Sequence, residues 1–195
     1  MTVKTRPIIL KIAKRLFAVN GYEGFSMRTL AKESDVGLSS IYHFFSDKDE
    51  ILKEIFYCTN KELGVARAKL PTSISAEDML LDRIKFQFKH IEDVLFVIKY
   101  YIHFRTDFSK LDSGYIPTKA YLHIGDVLRI GVVSSEFTIN ISEIDKEAKV
   151  ITHAINGFLL EYYPNPPEND ELDEVVFSIH KFLMRSLINK EVLMI

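Results

Sequence analysis

The sequence predicts an all-α fold, on three observations. Apolar residues recur at helical spacing along most of the chain, as in Ile9, Ile12, Ala13, Leu16 and Phe17. Capping and helix-breaking residues cut that pattern into separate segments. Those segments are short and crowded up to about residue 60, and long beyond residue 71.

The first helix carries the Ile9 to Phe17 stripe. Thr5 stands where a cap belongs, Pro7 fits the first turn, and Asn20-Gly21 ends the helix. Ser26 is placed to cap a second helix, "MRTLAKES", with Leu30 and Ala31 facing inward. Asp35, Val36 and Gly37 form a turn, and a third short helix runs from about Leu38 to Phe45. Ser46 is the predicted cap of the fourth helix, with Asp47, Asp49 and Glu50 favoured near its positive end. Its stripe is Ile51, Leu52, Ile55, Phe56 and Leu63, and Pro71 closes the segment. Cys58 lies within this pattern, which predicts a buried thiol.

The second half begins with a capping box at Ser75 and Asp78, opening "SAEDMLLDRIKFQFKHI". The aromatic helix "EDVLFVIKYYIHFRTDF", the loop "SKLDSGYIP" and a helix ending near Ser134 follow. Two long helices finish the chain, "SEIDKEAKVITHAINGFLLEYY" and "ENDELDEVVFSIHKFLMRSLINK". The "PNPPE" between them cannot be helical. The expected division is residues 1–60 and residues 61–195.

Charge is uneven along the chain. The net charge is -2 over 195 residues, yet residues 1–32 hold Lys4, Arg6, Lys11, Lys14, Arg15, Arg28 and Lys32 against the single acid Glu23. Such an end suits a polyanion. The single cysteine excludes an intrachain disulfide. No apolar run is long enough to span a membrane and no signal peptide is legible, so a cytoplasmic protein is expected. The histidines have no metal-ligand spacing, and neither a nucleophile elbow nor a phosphate-cradling glycine loop occurs. An enzyme is therefore not expected, and no cofactor is implied.

Two short helices joined by a tight turn, over about residues 26–45, make a helix-turn-helix. In that motif the second helix lies in the major groove of DNA. Ile41 and Phe45 are four residues apart and face the core, leaving Tyr42 and Phe44 on other faces. The Tyr42 hydroxyl can reach a phosphate, and Lys48 with the amides of the fourth helix can hold the backbone. His43 is exposed by spacing, and Leu38 and Ser40 lie on the first turn, where a thymine methyl or base edge is within reach.

The stretch "AKRLFAVNGYEGFSMRTLAKESDVGLSSIYHFFSDKDEIL" resembles the DNA-binding domain of the TetR family of transcriptional regulators. The resemblance rests on Phe17, Gly21-Tyr22, the Ser26 cap, Leu30-Ala31, and the spacing of Tyr42, Phe45 and Lys48. Asp35, Gly37, Ser39 and Phe44 depart from the family's usual residues. The resemblance implies DNA contacts from Arg28, Thr29, Leu38, Ser39, Ser40, Tyr42, His43 and Lys48. It also implies a larger helical domain for ligand binding and dimerisation. Such a domain would bind a small apolar or amphipathic effector; its candidate lining is Phe86, Tyr100, His103, Phe104, Tyr121, Asn156 and Phe158. A homodimer would form through the last two helices, whose wide apolar faces offer Ile151, Ile155, Phe158, Ile179, Phe182 and Leu183. The implied function is a repressor on a palindromic operator of double-stranded DNA, released by the effector. Two alternatives stay open: a helical interaction module that never meets DNA, and a DNA-binding regulator without an effector.

Overall fold

The computed structural model describes residues 5–71, 75–107 and 121–188. Lys4 and the loop predicted over residues 109–117 lie outside the described residues. The described secondary structure is helical: α1 (Thr5–Gly24), α2 (Met27–Ser34), α3 (Leu38–Phe44), α4 (Lys48–Arg67), α5 (Ala76–Lys89), α6 (Ile91–Phe104), α7 (Leu122–Val133), α8 (Ile144–Tyr162) and α9 (Asn169–Ile188). None of the described helices is long and apolar enough to cross a membrane.

Among the described residues, the chain forms two compact units. One holds residues 5–66 with 92–107, and the other holds residues 67–91 with 121–188. The first unit therefore includes nearly all of α6, a helix far along the sequence from α1–α4.

Aromatic rings explain that arrangement. Phe17, Phe56, Phe96 and Tyr100 are each at most 1% exposed. Phe17 meets Phe96 edge-on at 5.1 Å between ring centres, and Phe56 stacks on Tyr100 at 4.2 Å. Offset and edge contacts of this kind add to the apolar burial. Polar ties reinforce them. Lys14 pairs with Asp93 at 2.5 Å, and the Lys99 ammonium donates to the Ala18 carbonyl, near the end of the first straight stretch of α1.

Local chemistry sets the helix ends. Gly21 takes φ 67°, so the chain breaks at the predicted Asn20-Gly21 and makes one further turn to Gly24. Ser26 accepts from the Thr29 amide as predicted, and Ser75 accepts from the Asp78 amide while donating to the Asp78 carboxylate at 2.7 Å. The cap of α4 differs from expectation. Asp47 accepts from the Glu50 amide at 2.8 Å, while Ser46, one residue earlier, donates its amide and hydroxyl to the Glu50 carboxylate. That pair of donors holds Glu50 below the usual carboxylate range. Cys58 is exposed, not buried. The inward stripe of α4 runs through Phe56, Thr59 and Leu63, and position 58 lies a third of a turn off it.

In the second unit α5 packs against α7 and α9, and α7 packs against α8. Gly131 lets the chain fold back at the end of α7. A Cβ there would lie 2.1 Å from the Phe137 ring. Thr138 then donates its amide and hydroxyl to the Leu187 carbonyl at 2.9 and 3.1 Å, satisfying the end of α9.

Candidate nucleic-acid interface

The helix-turn-helix is α2, a turn at residues 35–37, and α3. Asp35 ends α2 in the left-handed region (φ 52°), and its amide donates to the Ala31 carbonyl. Gly37 opens α3 without a side-chain cap. Ile41 and Phe45 are 0% and 1% exposed, which fixes the rotation of α3 about its axis. Ser39, Ser40, Tyr42 and His43 then face outward, with Tyr42 52% exposed, while Leu38 and Phe44 are half-buried. An open groove runs beside them, lined by Thr5, Asp35, Gly37, Ser39, Ser40 and His43. The outward face thus offers hydroxyls and an imidazole, groups that can hydrogen-bond to phosphates and base edges.

Basic residues of this unit divide into held and free. Arg6 pairs with Glu54 at 2.6 Å and lies over the Phe45 ring, and Arg15 pairs with Glu33 at 3.5 Å. Lys14 is held by Asp93. Arg28 is exposed at the start of α2 and makes no ion pair with a described residue. Much of the positive charge counted at this end is therefore spent within the fold.

Lys48 is also held. Its ammonium donates to the carbonyls of Tyr22 (3.1 Å) and Phe25 (3.4 Å), and sits 3.6 Å from the centre of the Tyr22 ring. Thr29 is drawn into the α2 cap, its hydroxyl 2.8 Å from that of Ser26. Both side chains are thus engaged within the fold.

Sequence patterns did not show the cluster behind this interface. Tyr22 donates to Asp49 at 2.6 Å and stacks on His103, with ring centres 3.6 Å apart and planes 17° apart. Burial first, and then Asp49, raises the Tyr22 phenol well above its ordinary value. Its signal in the sequence was Gly21-Tyr22 itself: a helix break that turns a ring inward.

The candidate effector residues fall into two groups. Tyr100, His103 and Phe104 belong to the first unit; Phe86, Tyr121, Asn156 and Phe158 belong to the second. Tyr100 is 0% exposed among Phe17, Phe56, Phe96 and Phe104. Phe158 lines a groove on α8 and α9 with Tyr162, Val175, Ser178 and Phe182.

The candidate dimer residues also divide. Ile151, Ile155, Ile179 and Leu183 are at most 3% exposed within their own chain and form its core, because α8 and α9 bury their stripes against the unit's other helices. Phe182 is 60% exposed, and Phe158 is half-buried beside it.

A helix-turn-helix whose second helix turns hydroxyls and an imidazole outward is an arrangement that DNA-binding proteins use. Residues 9–55 match the family model described as "Bacterial regulatory proteins, tetR family". That match spans α2, the turn and α3, so the likeness to the family lies in the helix-turn-helix segment. The chain is similar to YttP of Bacillus subtilis, an HTH-type transcriptional regulator, at 24% identity over 83% of this chain and 74% of YttP. Its fold is that of the ketosteroid transcriptional regulator KstR2 of Mycobacterium tuberculosis, with a TM-score of 0.76 and 16% identity over 97% of this chain and 98% of that one. A transcriptional regulator of Saccharomonospora viridis in complex with choline is likewise similar, with a TM-score of 0.71 and 19% identity over 95% and 98% of the two chains.

Proposed function

We propose that the protein is a repressor that binds a palindromic or near-palindromic operator as a homodimer and leaves it on binding a small effector. The observation that carries this reading is the division of α3. Ile41 and Phe45 lock one face into the core, and Ser39, Ser40, Tyr42 and His43 are left outside. A helix with that division is rigid enough to present side chains in register to a groove.

The homodimer reading is supported by the outer face of α8 and α9. Phe182 on α9 is 60% exposed, and Leu160 and Val150 on α8 are 51% and 56% exposed. A Cβ at Gly157 would meet nothing within 4 Å, so a second helix has room to approach there. Exposed apolar area of this extent on adjacent helices suits a two-fold contact with a second copy. Two recognition helices related by that axis read matching half-sites.

The effector reading is supported by the choline complex of a regulator with the same fold. It needs only that the ligand prefer the form of the dimer that does not fit DNA. A hundredfold loss of DNA affinity takes about 2.7 kcal/mol of coupling, within the range typical of allosteric pairs.

Selection of bound sequences from a random DNA pool, with the full chain, tests the core of this reading. The expected product is an inverted repeat. A pool that never enriches one removes the operator reading and leaves an interaction module.

A further inference from the structure

Two costs meet at Asp35. Its φ of 52° lies in the left-handed region, which strains an L-residue and does not strain glycine. Ser135 and Asn169 share that conformation among the described residues, but neither carries a charge. The Asp35 side chain is exposed, and no described cation lies within ion-pair distance of its carboxylate. It lines the groove beside α3 with Ser39, Ser40 and His43. An unpaired carboxylate in that groove repels a polyanion brought to the same face.

The turn does not require the acid. Asp35 closes α2 through its backbone amide, which donates to the Ala31 carbonyl. Glycine would make the same bond without strain. The fold thus gains no bond from the carboxylate, and strain that the fold does not need points to a functional position.

The chemistry of the groove says what the acid can do there. Among the described side chains that line it, Asp35 alone is an acceptor with nothing to donate. The Ser39 and Ser40 hydroxyls both donate and accept, so they do not separate donor from acceptor. In the major groove of DNA, cytosine presents the N4 amino group, a donor, whereas guanine presents the N7 and O6 acceptors. A carboxylate accepts from the first and is repelled by the second. Phosphate repels it alike at every sequence.

We propose that Asp35 is a specificity-determining residue of the DNA interface, its carboxylate admitting cytosine and excluding guanine at one position of each half-site, beside the first turn of α3. The inference rests on the reading that α3 enters the major groove of an operator. It adds a residue outside the contacts expected from the sequence, and it names the base selected.

The test uses the full-length protein and selection from a random DNA pool, run in parallel for the wild type, Asp35→Asn and Glu23→Gln. Asparagine tolerates the left-handed backbone, and its amide donates as well as accepts, so this change removes the charge and the discrimination together. Glu23→Gln removes an exposed acid elsewhere in the same unit. Circular dichroism confirms that both variants are folded. The wild type is expected to enrich an inverted repeat with cytosine at one position of each half-site and guanine depleted there. Asp35→Asn should lose the preference at that position and keep the others, and Glu23→Gln should keep them all. In titrations, changing that cytosine to guanine in both half-sites should weaken the wild type at least tenfold and Asp35→Asn no more than about threefold.

An operator read identically by the wild type and Asp35→Asn overturns the proposal and leaves the operator reading intact. An equal gain by Asp35→Asn on the cytosine and guanine duplexes also overturns it, because that is the mark of a carboxylate facing phosphate alone. A pool that never enriches an inverted repeat overturns both.

Discussion

Arg28 and Lys48 carry the same charge at the same surface, and their surroundings give them different work. Lys48 spends its protons on the Tyr22 and Phe25 carbonyls and lies over the Tyr22 ring. Lys48→Ala should lower unfolding free energy by about 1–3 kcal/mol, the range for hydrogen bonds from a charged donor, read by urea denaturation. It should leave the salt dependence of DNA binding nearly unchanged. Arg28 is exposed and unpaired among the described residues. Arg28→Ala should leave stability within about 0.5 kcal/mol and lower the salt slope of DNA binding by about one unit. A slope that falls for Lys48→Ala and not for Arg28→Ala would reverse these roles. Tyr42→Phe should weaken all sequences alike, because a phosphate contact carries no base identity. Ser40→Ala should instead change which sequences are preferred.

At the scale of elements, the turn between α2 and α3 holds one strained residue. Asp35 has φ 52°, a conformation that costs an L-residue about 1–2 kcal/mol relative to glycine. Asp35→Gly should raise stability by up to about 1 kcal/mol, part of the relief being lost to the freer unfolded chain. It also removes a negative charge from the groove beside α3, so DNA affinity should rise. Thermal melts and a binding titration check both outcomes, and a fall in both would show that Asp35 has a structural contact of its own. In the second unit, Gly131→Ala drives a methyl into Phe137 and should cost about 1–3 kcal/mol or more, as overpacking does. The Ser46–Glu50 tie at the start of α4 is sensitive to acid. The folded pKa of Glu50 lies below its unfolded value, so its stabilisation is present above the ordinary carboxylate pKa and is lost as pH falls through the folded value.

For the whole molecule, the deciding substitution is Phe182→Asp. Phe182 is 60% exposed, so the change leaves the chain's own core intact while placing a charge in the proposed two-fold contact. The variant should sediment as a folded monomer and bind operator DNA at least tenfold more weakly, since half-sites are no longer joined. Ile155→Asp is the contrasting case. Ile155 is 0% exposed, so that variant should fail to fold, not merely dissociate. A Phe182→Asp protein that remains a dimer would place the contact elsewhere.

Several features were legible in the sequence because they depend on neighbours a few residues apart. The Ser26 and Ser75 caps, the break at Gly21, and the burial of Ile41 and Phe45 all follow from helical spacing and local hydrogen bonding. The helix-turn-helix and the outward face of α3 came with them. The position of α6 did not. Its place in the first unit depends on Phe96, Tyr100 and His103 meeting Phe17, Phe56 and Tyr22, contacts between rings distant in sequence. The same limit applied to charge. Residues 1–32 count as basic, but the count could not show that Glu54, Asp93 and Glu33 come back to neutralise Arg6, Lys14 and Arg15. The apolar stripes of α8 and α9 named the dimer candidates as a set, and only packing separated the buried Ile151, Ile155, Ile179 and Leu183 from the exposed Phe182. Periodicity records which face of a helix is apolar. Whether that face meets its own chain or remains open is decided by which distant segment arrives to cover it.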